Sequence, residues 1–308
     1  METDLQIVSQ VDEISIQDDR VSLCLLINRR QGVMRVIDFR SGPNPAKRGY
    51  IMEQVEAQGV SRVVTLVERE EVASWARIGF LKEGSIPAFY KRSDAHILGM
   101  LVGADLRADE SGARPVALDY AARVNTSAVI AAYGAARAAA KAHEGAEPPA
   151  VRVQPARPAD VERALASAAR AGRLASHLEP FSRDVERQAF MATARGGFSL
   201  LVSVESQPCY ANAFVELVQA PRTEKEARLT AAALIHVMQR LLEQQMVSAF
   251  AVTAVEDAEL AACFIQAGFR RTGYLQGHLI VANERRDAFL WSRKLASPGG
   301  PGARDGEF

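Results

Sequence analysis

The sequence contains few cysteines, has no net charge and lacks any long hydrophobic run. Its three cysteines, Cys24, Cys209 and Cys263, lie far apart, so they form no metal-ligand motif and we expect reduced thiols in a cytosolic chain. The 37 basic and 37 acidic side chains cancel, which argues against a dedicated nucleic-acid-binding protein. No apolar run approaches the ~20 residues that a membrane span needs, and the acidic N-terminal residues lack a signal-peptide pattern.

The composition is that of a globular protein with substantial hydrophobic cores. Of the 308 residues, 48% are hydrophobic and 24% are charged, which is an ordinary balance for such proteins. A chain of this length corresponds to about two domains of usual size. We therefore expect two cores rather than one.

A unit of strand, short helix, glycine and strand occurs twice in the sequence. Each copy has an apolar stretch, then an amphipathic segment with acids in its first turn, then a Gly-Phe pair, at 60–80 and again at 247–269. The pattern predicts α/β structure in both halves.

Other segments complete this organisation. Residues 46–58 read as a helix ended by Gly59, and 229–245 as a long amphipathic helix. We predict a first domain over 1–103, an alanine-rich connector over 104–150, a second domain over 151–296 and a disordered tail over 297–308.

This order of elements resembles the GNAT superfamily of acyl-CoA N-acyltransferases. More narrowly, it resembles the beta-lysine N-acetyltransferase family, which joins a reduced GNAT-like domain to a full one. The N-terminal match covers 49–90 and ends on Ile86-Pro87-Ala88-Phe89-Tyr90, where the family has glycine in place of Ala88; the C-terminal match covers 229–295. The resemblance implies tandem GNAT-like domains of the α/β (α+β) class, with mixed, mostly antiparallel sheets and flanking helices.

The resemblance also implies an acetyl-CoA site at the start of the long helix. Backbone N–H groups there bind the pyrophosphate, which requires glycine in the preceding loop. Arg228 takes the place of that glycine, and Glu226 adds a negative charge. An ungapped alignment puts the loop on Lys225, Glu226, Ala227, Arg228, Leu229 and Thr230, and the N–H groups for the thioester oxygen around Val215, Leu217 and Val218.

Two interpretations of this altered loop stay open. In one, Lys225 and Arg228 replace backbone contacts with ion pairs to phosphate. In the other, these residues form an ordinary solvated first turn and cofactor binding has decayed. A register shifted to 228–233 ends in small residues and still lacks glycine. We expect acetyl-CoA to bind weakly, if at all, and we expect no metal.

The catalytic candidates implied by the resemblance are Glu216 and Tyr274. Glu216 would activate an amine through water, and Tyr274 would protonate the leaving thiolate. The alternatives are a solvent-facing strand glutamate and a tyrosine packed at a sheet edge. His278 reads as an exposed loop histidine. Ala261 replaces an asparagine of the family, which puts beta-lysine itself in doubt as the substrate.

Two functions from different classes follow. The first is acetyl-CoA-dependent acetylation of a primary amine on a small molecule. The second is a non-catalytic pseudo-acetyltransferase that binds a protein partner as an interaction or regulatory module. The poor cofactor loop motivates the second.

Overall fold

The strands of the protein join into one continuous sheet. A computed structural model describes residues 11–102, 126–142, 147–281 and 284–296. Within these residues the protein is a mixed α/β structure with a large, mostly antiparallel sheet and flanking helices, so the predicted class is confirmed. The thirteen strands of this part are β1 (Val11–Gln17), β2 (Ser22–Asn28), β3 (Val33–Asp38), β4 (Arg62–Val67), β5 (Leu81–Ile86), β6 (Ala95–Leu101), β7 (Arg152–Pro155), β8 (Glu186–Ala194), β9 (Phe198–Gln207), β10 (Asn212–Leu217), β11 (Ser248–Ala254), β12 (Arg270–Val281) and β13 (Glu284–Lys294).

The helices follow the signals in the sequence with one exception. The first helix ends at Gly59, whose φ of 66° is a left-handed conformation that glycine adopts at little cost. The long helix begins at Glu224, five residues before the predicted start. The α-helices of the described residues are α1 (Ala46–Gln58), α2 (Val72–Arg77), α3 (Thr126–Ala142), α4 (Pro158–Arg170), α5 (Glu224–Glu243) and α6 (Ala258–Gln266).

The strand order repeats on the two sides of the sheet. The order is β1-β2-β3-β4-β6-β5-β12-β13-β11-β10-β9-β8-β7. Outward from the β5–β12 junction, one side runs β5, β6, β4, β3, β2 and β1, and the other runs β12, β13, β11, β10, β9 and β8. The parallel pairs β3–β4 and β10–β11 therefore take equivalent places. Strand β7 and helix α4 have no counterpart in the described part of the first half. The domain bounds stay a prediction, and 103–125, 143–146 and the tail over 297–308 lie outside the described residues.

The two halves are held together at a tight junction. Strand β12 pairs with β5 through Gly273 and Gly84. A Cβ atom added at Gly84 would lie 2.8 Å from the Cα of Gly273, so the close approach requires glycine. Next to it, Ser248 donates to the carbonyl of Pro87 at 2.7 Å, and Asn212 donates to that of Phe89 at 3.0 Å. The first half is therefore packed on the second.

Buried aromatic residues anchor the cores. Trp75 and Trp291, which the sequence suggests as core residues, are fully buried, one in each half. All three cysteines are free; Cys24 and Cys263 are buried, and Cys209 is exposed. In the part of the chain that the structure describes, no helix is long and apolar enough to span a bilayer, and no group of three or more metal-ligating side chains occurs.

Candidate active site

Strands β10 and β11 separate along their length. They are parallel, and their pairing covers only the three steps from Asn212–Ser248 to Phe214–Phe250. The strands themselves continue to Leu217 and Ala254. Their carboxyl ends therefore lack a partner on the facing sides and leave a gap in the sheet. Ligands of α/β proteins bind in such openings at the carboxyl ends of parallel strands.

A cavity of about 460 Å³ passes through this gap. On one side of the sheet it is lined by Leu260 and Phe264 of α6, and on the other by Phe214 and Glu216 of β10. Because side chains on a strand alternate between faces, this lining comes from both faces of the sheet. The cavity, which we call the through-sheet cavity, continues to Arg35 in the first half.

Glu216 is the ionisable group of β10 in the through-sheet cavity. Its side chain is partly buried, and Ser176 Oγ donates to its Oε1 at 2.7 Å. Burial raises the pKa of Glu216 to about 8; the bond from Ser176 opposes that effect, and the charge of Glu205 adds to it. Glu216 thus faces a cavity and is partly buried, whereas the alternative from the sequence was a strand glutamate facing open solvent. A carboxyl group with a pKa close to neutrality is suited to general-base catalysis.

A second buried acid fixes the segment that carries Ser176. Glu205 on β9 accepts the N–H groups of Phe181 at 2.9 Å and Ser182 at 2.6 Å. It also forms an ion pair with Arg187 at 3.0 Å. The segment between α4 and β8 is thereby held over β10, which places Ser176 against Glu216.

One predicted backbone donor points into the gap and another does not. The N–H of Val218 donates to Leu201 of β9 at 3.1 Å, so it is already used. Since successive N–H groups of a strand point to opposite sides, those of Leu217 and Val215 point away from β9. Both residues line the through-sheet cavity. Leu217 lies beyond the last β10–β11 pair, so its N–H faces the gap.

The segment aligned with the cofactor loop is helical: it forms the first turns of α5 and is not a loop that precedes the helix. Helix α5 begins at Glu224 because Thr223 caps it: Thr223 Oγ1 accepts the N–H of Glu226 at 3.1 Å. The carboxylate of Glu226 in turn accepts the N–H of Arg222 at 2.8 Å. Threonine followed three residues later by glutamate is a capping pattern. The sequence therefore held a signal for the true helix start.

The six residues of that segment do not converge on one site. A helix distributes consecutive side chains around its axis. Of the three charged residues, Lys225 and Arg228 point away from the through-sheet cavity, whereas Glu226 contacts an arginine that lines it. Lys225 extends toward Gly196 in the β8–β9 turn, Glu226 pairs with Arg173, Arg228 donates to the carbonyl of Glu147 at 3.1 Å, and Ala227, Leu229 and Thr230 are buried.

Two arginines that sequence reasoning missed lie at the N-terminus of α5. Arg173 binds both carboxylate oxygens of Glu226, through Nη1 at 3.3 Å and through Nη2. Arg222 donates to the carbonyls of Ala171 and Gly172 at 2.7 and 3.0 Å. Both arginines line the through-sheet cavity. The carboxylate of Glu226 thus pairs with Arg173 and accepts the N–H of Arg222, the residue before the Thr223 cap.

These contacts test whether acetyl-CoA fits. The open gap and the N–H of Leu217 fit the acyl and pantetheine end of the cofactor. The pyrophosphate end fits less well, because Thr223 takes up one of the first N–H groups of the helix and no glycine exposes the backbone. Arg173 and Arg222 are the cations available to phosphate at this end.

Tyr274 is not brought together with Glu216. Its hydroxyl donates to Asp287, which also accepts the N–H of Gly277 at 2.7 Å. Burial, and then the bond to Asp287, raises the pKa of Tyr274. Tyr274 is not among the described residues that line the through-sheet cavity. His278, by contrast, lies on β12 and lines that cavity, so its interpretation as an exposed loop residue is wrong.

Comparisons with known proteins return solved N-acetyltransferases. No protein-family model and no curated protein matches the chain. A spermidine N-acetyltransferase from Vibrio cholerae in complex with CoA and spermine is 11% identical, with a TM-score of 0.39, over 48% of this chain and 96% of that chain. The ribosomal-protein-S18-alanine N-acetyltransferase from Escherichia coli is 14% identical, with a TM-score of 0.38, over 49% and 97%.

Proposed function

We propose that the second half is a GNAT-type N-acetyltransferase acting on a primary amine of a small molecule. The observation that carries this proposal is the gap between β10 and β11, with Glu216 in the cavity that passes through it. The resemblance seen in the sequence supports the same reading. We also propose that the repeated strand order represents tandem GNAT-like domains.

In this proposal Glu216 removes the proton of the amine. Alkyl ammonium groups have a pKa of about 10, so an acceptor arrives protonated at neutral pH. Glu216, with its pKa of about 8, is a closer match than an ordinary carboxylate. Acetyl-CoA bound in the gap would supply the acyl group: the neutral nitrogen would attack the thioester carbonyl, and the C–S bond would break as CoA leaves as its thiol with a proton from that nitrogen. The N–H of Leu217 provides a donor for the carbonyl oxygen, as in other acyl transfers.

We propose that acetyl-CoA binds weakly. Phosphate must compete with Glu226 for Arg173, and the backbone at the helix start offers little in exchange. Arg228, a candidate replacement in the sequence, instead bonds to the carbonyl of Glu147.

We propose that the first half has no cofactor site of its own. The equivalent parallel pair β3–β4 also stops short, at Val36–Thr65. There the buried Lys47 forms an ion pair with Asp38 and donates to two backbone carbonyls at 2.9 Å. Its ammonium also lies 5.8 Å from the ring of Trp75. In this proposal the buried ion pair occupies, in the first half, the region equivalent to the one that stays open between β10 and β11.

A non-catalytic interaction module is the second candidate. The observation that favours it is the Arg173–Glu226 pair at the helix start, which satisfies both charges within the protein and leaves less for a phosphate to bind. In that case the protein would bind a protein partner through this fold. The cytosolic location and the lack of nucleic-acid and membrane partners remain predictions.

An acetylation assay with matched variants tests the proposal. Release of free CoA from acetyl-CoA is followed with a panel of primary amines, and binding of CoA is titrated by calorimetry. We expect turnover that falls roughly 100-fold or more in Glu216→Gln and is unchanged in Glu162→Gln, an exposed residue of α4. If the folded protein binds no CoA at millimolar concentration, the enzyme proposal fails and the interaction module becomes the better one.

A further inference from the structure

Ser176 holds one oxygen of the Glu216 carboxyl group. Its Oγ donates to Glu216 Oε1 at 2.7 Å and accepts the N–H of Leu178 at 2.9 Å. Since Leu178 already uses a lone pair of Oγ, the hydroxyl hydrogen lies toward Glu216. Ser176 is itself only partly buried and lines the through-sheet cavity. The contact is therefore made inside the proposed site and in a defined direction.

The second carboxyl oxygen of Glu216 is left for a ligand. Among the described residues no hydrogen bond reaches Oε2, and this atom is not one of the enclosed polar atoms that lack a partner. Oε2 is therefore open to the through-sheet cavity, which Glu216 lines. Because Oε1 is occupied by the hydroxyl of Ser176, a proton taken from a bound molecule is placed on Oε2.

The turn that carries Ser176 is held in place from both sides. On one side, the N–H of Ala175 donates to the carbonyl of Val218, directly after β10, at 2.8 Å. On the other, Leu178 is fully buried and has a φ of 58°, a left-handed conformation that a leucine adopts only at a cost in free energy. Arg187 Nη1 donates to the carbonyl of Leu178 at 2.9 Å. Such a conformation persists only where the surrounding contacts enforce it, so the position of Ser176 is fixed.

The two buried acids of this region differ in how their oxygens are satisfied. Both oxygens of Glu205 are used: Oε1 accepts the N–H of Ser182, and Oε2 accepts that of Phe181 and pairs with Arg187 at 3.0 Å. Glu216 has one neutral donor and, among the described residues, no cation within ion-pair distance. Glu205 is thus a structural acid. A carboxyl group with one oxygen held and the other unbonded is suited to proton transfer.

We infer that Ser176 is a positioning residue of the proposed base: its hydroxyl holds Oε1 of Glu216 so that Oε2 takes the proton of the acceptor amine. The inference rests on the proposed acetyl transfer for the identity of the proton donor. A hydrogen bond donated to a carboxylate favours its ionised form. In Glu216 the bond from Ser176 lowers the pKa against the larger effect of burial. Ser176 therefore increases the fraction of the carboxyl group that is ionised at neutral pH, the form that accepts a proton.

The pH dependence of acetylation tests this inference. The ratio kcat/KM is measured against pH, for an amine that the unaltered protein acetylates, in Ser176→Ala, Ser176→Thr and the exposed control Ser167→Ala. We expect a midpoint near pH 8 in the unaltered protein, and in Ser176→Ala a midpoint roughly one pH unit higher, with kcat/KM roughly tenfold lower at neutral pH. Ser176→Thr keeps the hydroxyl and should restore the midpoint, and Ser167→Ala should not move it. A slower Ser176→Ala with an unmoved midpoint would mean that Ser176 only supports the fold, and the inference would be overturned.

Urea unfolding without cofactor separates this inference from the proposed reaction. The free energy of unfolding is compared against pH between Ser176→Ala and the double variant Ser176→Ala/Glu216→Gln, and between the unaltered protein and Glu216→Gln. We expect the difference to become constant roughly one pH unit higher in the Ser176→Ala background, and the same curves show that each variant is folded. An unshifted profile overturns the inference whether or not an amine is acetylated. A shifted profile without acetylation of any amine refutes the proposed reaction and leaves the effect of Ser176 on Glu216 standing.

Discussion

Replacing Glu216 by glutamine should stabilise the protein, increasingly so as the pH rises. The carboxyl has an ordinary pKa of 4.5 in the unfolded chain and about 8 in the folded one. Between these values the folded state holds a proton that the unfolded state has released. Folding stability of the unaltered protein therefore falls as the pH rises through this window and becomes constant again above about pH 8. Glutamine keeps the shape and an acceptor for Ser176 without titrating.

The expected magnitude follows from the two pKa values. Each unit between them corresponds to about 1.4 kcal/mol in the free energy of unfolding. Glu216→Gln should thus equal the unaltered protein near pH 4.5 and exceed it by about 3 kcal/mol at pH 7 and about 5 kcal/mol above pH 8. These are upper values, since water entering the cavity screens the charge.

Urea unfolding at several values between about pH 5 and pH 9 measures this difference. The exposed Glu162→Gln is the matched control and should follow the unaltered protein throughout. Subtracting the two profiles removes the contribution of all other titrating groups. A constant offset between Glu216→Gln and the unaltered protein would mean that Glu216 titrates at its ordinary pKa, and the argument for it as a base near neutrality would be refuted.

Three further substitutions test the cofactor end, the first half and the junction. Glu226→Gln removes the charge that holds Arg173, so calorimetry should show CoA binding roughly tenfold tighter. Arg228→Met is the control and should leave the affinity unchanged. If the affinity of Glu226→Gln for CoA does not rise, our account of the site is contradicted. Lys47→Met leaves the buried carboxylate of Asp38 unpaired and should lower the free energy of unfolding, measured in urea, by about 3–5 kcal/mol. A loss below about 1 kcal/mol would show that the Lys47–Asp38 pair is solvated. Gly84→Ala puts a Cβ against β12 and should cost about 1–3 kcal/mol in the same assay; Gly49→Ala, with open space around it, should cost nothing, and equal effects would exclude a steric cause.

The sequence by itself determined the class of fold and the course of most elements. Helix α1 could be placed from 46 to 58 because its periodicity is local and Gly59 supplies the left-handed end. The two Gly-Phe units predicted the related strand order of the halves for the same reason. The start of α5 was also encoded, in Thr223 and Glu226, but alignment to a loop pattern obscured it.

Only the tertiary structure decided how the site is assembled. Alternation along β10 shows that Glu216 lies opposite its apolar neighbours, but its burial depends on the segment that carries Ser176, 40 residues away in the sequence. Arg35 of the first half reaches the same cavity because β3 meets the carbonyl of Phe181 across the junction of the halves, 146 residues away in the sequence. Local patterns report which face of an element is apolar. Whether another segment, a counter-ion or a cavity covers the opposite face depends on long-range packing, and that packing gives Glu216 its chemistry.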